Sequence, residues 1–236
     1  MNSDRKAAVT AGILFIVGTA APMVGMGITG SLASIPDYLM GISANANKIV
    51  LGAFLQIVMG FACAGIAMAM FPVLKKFSEG VAIGTVGFRL IEGILASIAA
   101  IMVLVLVSLG FEFLKAGAPD TSYFQTIAGL LLSLKEKLSM ISLFAWCVSA
   151  LMYYTVFYQT RLVPRWISFW GLAGISLSMV ANFLVLFGLI KNFSTLQVVM
   201  NLPIAVQEMV FAVWLIAKGF DQKVLDSHTL EAQLEG

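Results

Sequence analysis

The sequence predicts an all-α membrane protein, a polytopic bundle of six transmembrane helices. Sixty percent of its 236 residues are hydrophobic and only 11% are charged, whereas about 25% are charged in an ordinary soluble domain. Six apolar stretches reach the roughly 20 residues that cross a bilayer, and no soluble domain or low-complexity tract interrupts them. The predicted spans are Ala7–Gly30, Ile49–Phe71, Val81–Leu109, Met140–Tyr158, Trp166–Ile190 and Val199–Ala217.

The first apolar stretch follows Arg5 and Lys6, as the apolar segment of a secretory signal peptide would. It is longer than the usual apolar core of about 7–15 residues, and Pro22 follows its cluster of small residues. We therefore interpret it as an uncleaved first span. The six spans form one predicted domain, residues 1–220, and a short polar cytoplasmic tail, residues 221–236, follows it.

The basic residues of the connections predict the orientation of the bundle. Lysine and arginine are more frequent in the short cytoplasmic loops of membrane proteins than in the outer ones. Eight basic residues lie on the side of both termini and five on the other side. Both termini are therefore predicted to be cytoplasmic, in a multi-pass protein of the plasma (inner) membrane. The eight are Arg5, Lys6, Lys75, Lys76, Arg161, Arg165, Lys218 and Lys223, and the five are Lys48, Lys115, Lys135, Lys137 and Lys191.

Two connections on the predicted outer side have helical patterns of their own. Asp120 or Thr121 can cap a helix that runs to about Lys137, with an apolar face of Phe124, Ile127, Leu131, Leu134 and Leu138. We expect this segment to lie on the outer surface between spans 3 and 4 as an amphipathic helix. A shorter element begins at Pro36 and ends near Asn45 or Asn47. Either element could be a lid over an outer cavity or a packed loop that shields helix ends.

Three charged residues lie inside the predicted spans. Arg89 and Glu92 are in the third span, and Glu208 is in the sixth. A charged side chain at the centre of a membrane helix costs about 2.5–3.5 kcal/mol on insertion scales, so such residues usually face a partner or a cavity. They are therefore the candidate functional residues.

Helical periodicity predicts that the polar residues of each span share a face with small ones, which is typical of a surface that faces other helices. We predict that Gln56, Tyr153, Asn182 and Gln207 form a polar lining around the charged residues. The stripes are Gly52, Gln56, Gly60 and Ala64; Thr85, Arg89, Glu92, Ala96 and Ala99; Ser142, Trp146, Ser149 and Tyr153; Gly171, Gly174, Ser178 and Asn182; and Asn201, Ala205, Glu208 and Ala212.

The depth of the charged residues predicts that they meet. At 1.5 Å per residue, Glu92 lies ~16 Å and Glu208 ~15 Å from the predicted inner boundary, with Arg89 one turn nearer to it. If the third and sixth spans are neighbours, Arg89 can reach both carboxylates. Because one guanidinium cannot neutralise two carboxylates in a low-dielectric interior, we expect Glu208 to be held in its neutral form near pH 7.

Two interpretations of this cluster stay open. It is either a working site or an ion pair that holds the helices in register. Pro203 lies five residues before Glu208 and predicts a helix break. Broken helices near the midplane often line binding sites.

Four local sequences occur together in the order and spacing of a known family, and they span about Arg5 to Phe220. The chain resembles the bacterial membrane family called domain of unknown function 4386. The resemblance implies a six-helix inner-membrane protein, carries over Arg89, Glu92, Gln207 and Glu208 as matching motif positions, and implies no established activity. The motifs are Phe71-Pro72-Val73-Leu74-Lys75-Lys76, Arg89-Leu90-Ile91-Glu92, Arg161-Leu162-Val163-Pro164-Arg165-Trp166, and Gln207-Glu208-Met209 leading to Trp214-Leu215-Ile216-Ala217-Lys218-Gly219-Phe220.

The functional interpretation favours transport over catalysis. The chain has no GxSxG motif and no histidine within a span, and its aspartates all lie outside the spans. We therefore expect no enzyme, no metal and no cofactor. A small transporter or permease for a small molecule or ion, with the cluster coupling protons or binding a cation, is the leading hypothesis. The alternative is a non-transporting sensor, assembly partner or lipid-binding factor. The lipid bilayer is the predicted partner, and a net charge of +2 with no long basic run predicts no nucleic acid.

Overall fold

The computed structural model describes residues 3–30, 38–117, 122–192 and 194–234. These residues form eight α-helices and no strand. The helices are α1 (Ser3–Thr29), α2 (Tyr38–Ala44), α3 (Ala46–Phe77), α4 (Glu79–Ala116), α5 (Ser122–Thr160), α6 (Arg165–Leu186), α7 (Thr195–Ala217) and α8 (Gln222–Leu234).

Six of these helices are long and apolar enough to cross a membrane, which confirms the predicted spans. They are α1, α3, α4, α5, α6 and α7. Their lengths run from 22 to 39 residues, and a helix rises 1.5 Å per residue. Since the hydrocarbon core of a bilayer is about 30 Å thick, the longest helices extend beyond it.

The six spans form a closed ring. Each span packs against the next one in the chain, and α7 returns to pack against α1. The depth argument took the third and sixth spans, α4 and α7, as neighbours. In the ring they are not side by side; they face one another across the interior. We call the end of the bundle that holds Ser3 and Ala217 the termini end, and the end that holds Thr29 and Thr195 the distal end.

The contact between α1 and α7 closes the ring at the termini end. The last carbonyls of a helix have no partner within it, and the Arg5 guanidinium supplies donors to three of them. Arg5 donates to the carbonyl oxygens of Leu215 at 2.9 Å, Ile216 at 2.5 Å and Ala217 at 3.3 Å. Beside this contact, a Cβ built on Gly12 would lie 2.7 Å from the Ala212 carbonyl oxygen, so the two backbones touch.

An apolar core packs α2, α3, α4 and α5 together at the distal end. Leu39 and Ile42 of α2 are buried against Leu106 of α4 and Phe124 of α5. The short outer element expected between spans 1 and 2 is thus the helix Tyr38–Ala44. Of its two interpretations, a lid or a packed segment, its buried side chains favour the packed segment. The expected start of this element at Pro36, and the expected caps Asp120 and Thr121, lie outside the described residues.

The helix expected between spans 3 and 4 is present, but it is not a separate element. It joins the fourth span without a break, as α5. Along its predicted apolar face, Phe124 is buried whereas Ile127 and Leu134 are exposed. The first part of α5 continues the axis of the fourth span, so only one side of it can pack against the rest of the bundle.

The helix break predicted at Pro203 is wrong, because α7 runs through this residue from Thr195 to Ala217. A proline removes one backbone donor, but packing against neighbouring helices and side-chain hydrogen bonds can hold a membrane helix together around it. Here a Cβ built on Gly174 of α6 would lie 3.1 Å from Ile204, next to the proline, so α6 and α7 pack closely at this point.

Candidate functional site

The Arg89 side chain lies at the centre of the ring and is 2% exposed. Its Nη1 donates to Glu92 Oε2 at 3.0 Å, and its Nη2 donates to the Tyr153 hydroxyl at 3.1 Å. The guanidinium carbon lies 5.4 Å from the ring centroid of Phe15 and 5.7 Å from that of Tyr153. Aromatic rings attract a cation at this range. Arg89 is therefore held on several sides by α1, α4 and α5.

Glu92 is held as firmly as the arginine. Besides Arg89, the Cys63 thiol donates to its Oε1 at 3.3 Å. Its backbone carbonyl also accepts from the Ser142 hydroxyl at 2.9 Å. Both oxygens of the carboxylate thus have a donor, and hydrogen bonds from α3 and α5 converge on this turn of α4.

Glu208 is held more loosely than Glu92. Its Oε1 accepts from the Trp146 indole nitrogen at 3.0 Å. The same oxygen is 3.9 Å from Arg89 Nη2, beyond hydrogen-bond length. The three charged residues therefore meet across the ring, as the depth argument predicted, but the arginine pairs closely with only one carboxylate.

Close backbone contacts set the positions of the charged residues. A Cβ on Gly93 would lie 2.5 Å from the Gly60 carbonyl oxygen, and one on Gly60 would lie 2.7 Å from the Gly93 carbonyl oxygen. Only glycine allows α3 and α4 to approach so closely here. This contact brings Cys63 within reach of Glu92, which is next to Gly93 in the chain.

A second set of contacts holds α5, α6 and α7 together beside Glu208. The Tyr154 hydroxyl donates to Gln207 Oε1 at 2.6 Å, and Gln207 Nε2 donates to the Ile167 carbonyl oxygen at 3.0 Å. The Tyr154 ring fills the space where Gly171 has no side chain, 2.7 Å from its built Cβ. Gln207 is thus a buried link between helices, and its hydrogen bonds point away from the charges.

The remaining predicted lining residues lie at different distances from the cluster. Tyr153 contacts Arg89 directly. Asn182 is 2% exposed and donates to Cys147 Sγ at 3.8 Å, nearer the distal end. Gln56 is half-buried on α3, and no hydrogen bond joins it to the cluster within the described part of the chain.

Two residues that touch the charged groups were missed in the sequence. Phe15 carries no polar signal in an apolar helix. Cys63 lies within an apolar run of the sequence, and it is a buried free thiol. A stripe read as Gly52, Gln56, Gly60 and then Cys63, with a last step of three residues, would have included it.

A polar cleft opens at the distal end between α5, α6 and α7. We call it the distal cleft; its volume is about 90 Å³. Its apolar lining includes Leu143, one turn before Trp146 on α5. Its polar lining residues are Lys135, Glu136, Ser139, Asn182, Asn192 and Gln197.

The part of the chain that the structure describes contains no group of three or more His, Cys, Asp or Glu residues placed to hold a metal ion. What the cluster offers instead is one guanidinium, two carboxylates, and hydroxyl, thiol and indole donors. Such groups can bind a proton or a small cation at a carboxylate.

Six apolar helices around a buried charge cluster define a multi-pass α-helical membrane protein. The chain belongs to the family described as domain of unknown function (DUF4386), whose family model matches residues 10–219. This match confirms the resemblance seen in the motifs and includes Arg89, Glu92 and Glu208. No curated protein and no solved structure matches the chain.

Proposed function

We propose that this protein is a small transporter or permease in which Glu208 is the exchanging group. The observation that supports this role is the unequal sharing of one guanidinium by two carboxylates. Arg89 is 3.0 Å from Glu92 and 3.9 Å from Glu208. An unpaired charge is costly in a low-dielectric interior, so Glu208 has the stronger tendency to take up a proton or a cation.

The mechanism follows from the charge balance of the three groups. With both carboxylates ionised, the cluster carries one negative charge in excess. A proton or a monovalent cation on Glu208 makes the cluster neutral and weakens the attraction of this carboxylate for Arg89. Because Glu208 is on α7 and Arg89 on α4, uptake and release at Glu208 change the force between two opposite helices of the ring. Such a change can couple an ion to movement of α7.

The setting that we propose for this activity follows from the predicted topology. We place both termini in the cytoplasm and the protein in the bacterial inner membrane, because the basic residues favour that orientation. The proposed substrate is a small molecule or ion, and the proposed role is not enzymatic.

A second candidate is a sensor, assembly partner or lipid-binding factor in which the cluster only holds helices together. The hydrogen bonds of Ser142 to the Glu92 carbonyl and of Gln207 to the Ile167 carbonyl favour it. They join neighbouring helices and involve backbone atoms that carry no exchangeable charge. Buried ion pairs with this role lose stability when one partner is removed.

Two glutamine substitutions separate these candidates. Glu208→Gln keeps an oxygen that accepts from Trp146, so we expect it to fold and to lose proton uptake. Glu92→Gln removes the close partner of Arg89, so we expect a lower free energy of unfolding, by about 1.5–3 kcal/mol, the range for a hydrogen bond to a charged group. Proton flux into proteoliposomes containing a pH-sensitive dye, and thermal unfolding in detergent, are the two measurements.

Glu112→Gln is the matched control, since Glu112 is exposed and pairs with the exposed Lys115, three residues along α4 at the distal end. We expect it to behave as the wild type in both measurements. A stable Glu208→Gln protein with undiminished proton flux would exclude Glu208 as the exchanging group. Absence of proton flux in the wild-type protein, under gradients of either direction, would favour the packing role.

A further inference from the structure

We propose that the distal cleft is the opening of a polar path that leads protons to Glu208. This inference rests on the proposed function, and it adds the identity of the exchanged ion and its route. The path runs between α5, α6 and α7, on the side of Glu208 that faces away from the termini.

The first part of the path is the cleft itself. Lys135 and Glu136 stand at its rim on α5, and Asn182 and Gln197 lie deeper, 2% and 6% exposed. Buried amide side chains carry both donors and acceptors, so the floor of the cleft can order water. Polar side chains therefore extend from the rim of the cleft into the space between α5, α6 and α7.

The second part is a ladder of polar side chains between α6 and α7. The Ser178 hydroxyl donates to Asn201 Oδ1, and Asn201 Nδ2 donates to the Gln197 carbonyl oxygen at 2.9 Å. One turn further along α6, Asn182 donates to Cys147 Sγ at 3.8 Å. These contacts extend the polar groups from the cleft into the bundle, with Asn182 shared by both parts.

The last part joins the ladder to the charge cluster. Cys147 is next to Trp146 in the chain, and the Trp146 indole donates to Glu208 Oε1 at 3.0 Å. Asn201 and Glu208 lie on one face of α7, two turns or about 10 Å apart at 1.5 Å per residue. Glu208 retains 8% exposure and Trp146 is only partly buried. Glu208 is thus within a few water diameters of the ladder.

The polar lining of the cleft favours a proton over an organic solute. A proton needs only a chain of water and polar groups, and the cleft volume of about 90 Å³ exceeds the roughly 10–15 Å³ that one water molecule requires. An organic solute needs a continuous passage of its own size.

The groups that face Glu208 from the surrounding helices determine how it responds to pH. Arg89 on α4 favours the ionised carboxylate, and Glu92 on the same helix opposes it. The titratable groups within electrostatic range on α3 and α5 are Cys63, Cys147, Tyr153 and Tyr154. Arg89 is the cation of this set, and Glu92 already holds it at 3.0 Å.

Trp146 provides a direct optical measurement of the proton at Glu208, because its indole donates to that carboxylate. We would replace Trp166, Trp170 and Trp214 by phenylalanine, leaving Trp146 as the single tryptophan, and follow its fluorescence after a rapid pH step in lipid nanodiscs. The signal assigned to Glu208 is the part that Glu208→Gln removes.

Blocking the cleft then tests the path. Ser139 lines the cleft, and Ser133 is exposed elsewhere on the same helix. Ser139→Cys and Ser133→Cys are therefore matched sites for a bulky methanethiosulfonate label. Labelling at position 139 is expected to slow the Trp146 response about tenfold, equivalent to about 1.4 kcal/mol in barrier height. Labelling at position 133 is expected to leave the rate unchanged. The parent protein, whose two cysteines are buried, serves as the labelling blank.

Asn182→Leu tests the same path without a label. It removes the amide that joins the cleft to the ladder and keeps the number and branching of the side-chain heavy atoms, so it is expected to slow the response. Val185→Leu, an apolar change in the same cleft, is the control. If neither the label at position 139 nor Asn182→Leu changes the rate of the Trp146 response, the proposed path is overturned and the proposed function stands. If the Trp146 fluorescence of the parent protein and of the Glu208→Gln variant respond to pH in the same way, both proposals are overturned.

Discussion

The two carboxylates beside Arg89 belong to differently built sides of the ring. On the α3–α4 side, Gly60 and Gly93 bring two backbones into contact, and Glu92 accepts from both Arg89 and Cys63. On the α6–α7 side, Glu208 accepts from Trp146 and lies 3.9 Å from Arg89. The distal cleft opens on this second side, between α5, α6 and α7.

Two glutamates at one depth of the bundle thus have different surroundings and need not share one role. Glu92 neutralises Arg89. The backbone contact between Gly60 and Gly93 fixes its position, because it leaves no space for α3 and α4 to rearrange. Glu208 accepts from Trp146 and lies on the side of the ring that carries the distal cleft. We therefore regard the α3–α4 side as the fixed wall of the site and the α6–α7 side as its exchanging wall.

The largest expected effect comes from removing the cation that joins the two sides. Arg89→Met leaves Glu92 without its close partner in a buried position. Breaking a buried ion pair in this way costs about 3–5 kcal/mol. The free energy of unfolding, measured by titration with a denaturing detergent in mixed micelles, should fall by that amount. The double substitution Arg89→Met with Glu92→Met should recover most of the loss, since no close partner is left unpaired. A single substitution as stable as the wild type would contradict the central role of the pair.

The next effect tests the rigidity of the α3–α4 side. Gly93→Ala places a methyl group 2.5 Å from the Gly60 carbonyl oxygen, and overpacking of this kind costs about 1–3 kcal/mol. Gly87→Ala is the matched control on the same helix, because nothing lies within 4 Å of its built Cβ. The control should be neutral or slightly stabilising, since alanine favours a helix over glycine. Equal melting temperatures for the two variants would show that α3 and α4 do not make this close contact.

A smaller effect is expected on the exchanging side. Tyr154→Phe removes the hydroxyl that donates to Gln207 and leaves a buried amide oxygen without that donor, at a cost of about 1–2 kcal/mol. Tyr158→Phe, an exposed position one turn along α5, is the control and should change the melting temperature little. If both tyrosines tolerate the change equally, the link between α5 and α7 contributes nothing to stability.

The smallest effect lies outside both walls. Lys115→Ala removes an exposed ion pair with Glu112 at the distal end, and exposed pairs contribute about 0–1 kcal/mol. We expect a change below about 0.5 kcal/mol in the free energy of unfolding. A loss as large as that of Gly93→Ala would mean that surface charges, and not the interior contacts, dominate the stability of the bundle.

The sequence predicts the spans and the meeting of the charges because both depend on local chemistry. Apolar length identifies a membrane helix, and the periodicity of Arg89, Glu92 and Glu208 places them on inward faces at one depth. The ring order and the closure by α7 could not be predicted in this way, since they depend on contacts between distant helices. The preference of Arg89 for Glu92 over Glu208 follows from those contacts.

Some local signals in the sequence are overruled by tertiary contacts. Pro203 signals a break, yet the packing of Gly174 on Ile204 keeps α7 continuous. The polar start of α5 signals a separate surface helix, yet no glycine or proline stands between Lys137 and the predicted start of the span at Met140, and the helix runs on. Phe15 and Cys63 look like ordinary apolar positions, and only the fold places them against Arg89 and Glu92.

The seam between α1 and α7 has a consequence for how the protein is made. Four membrane spans separate these neighbours in the chain, so a ribosome completes α1 long before α7 leaves the exit tunnel. Until then the Arg5 side chain lacks the α7 carbonyls that it binds in the finished ring, and the ring stays open at the side that Glu208 later closes. A nascent chain halted before α7 therefore already has the close partners of Arg89 and Glu92, which lie on α1, α3, α4 and α5, but it lacks the helix that carries Glu208.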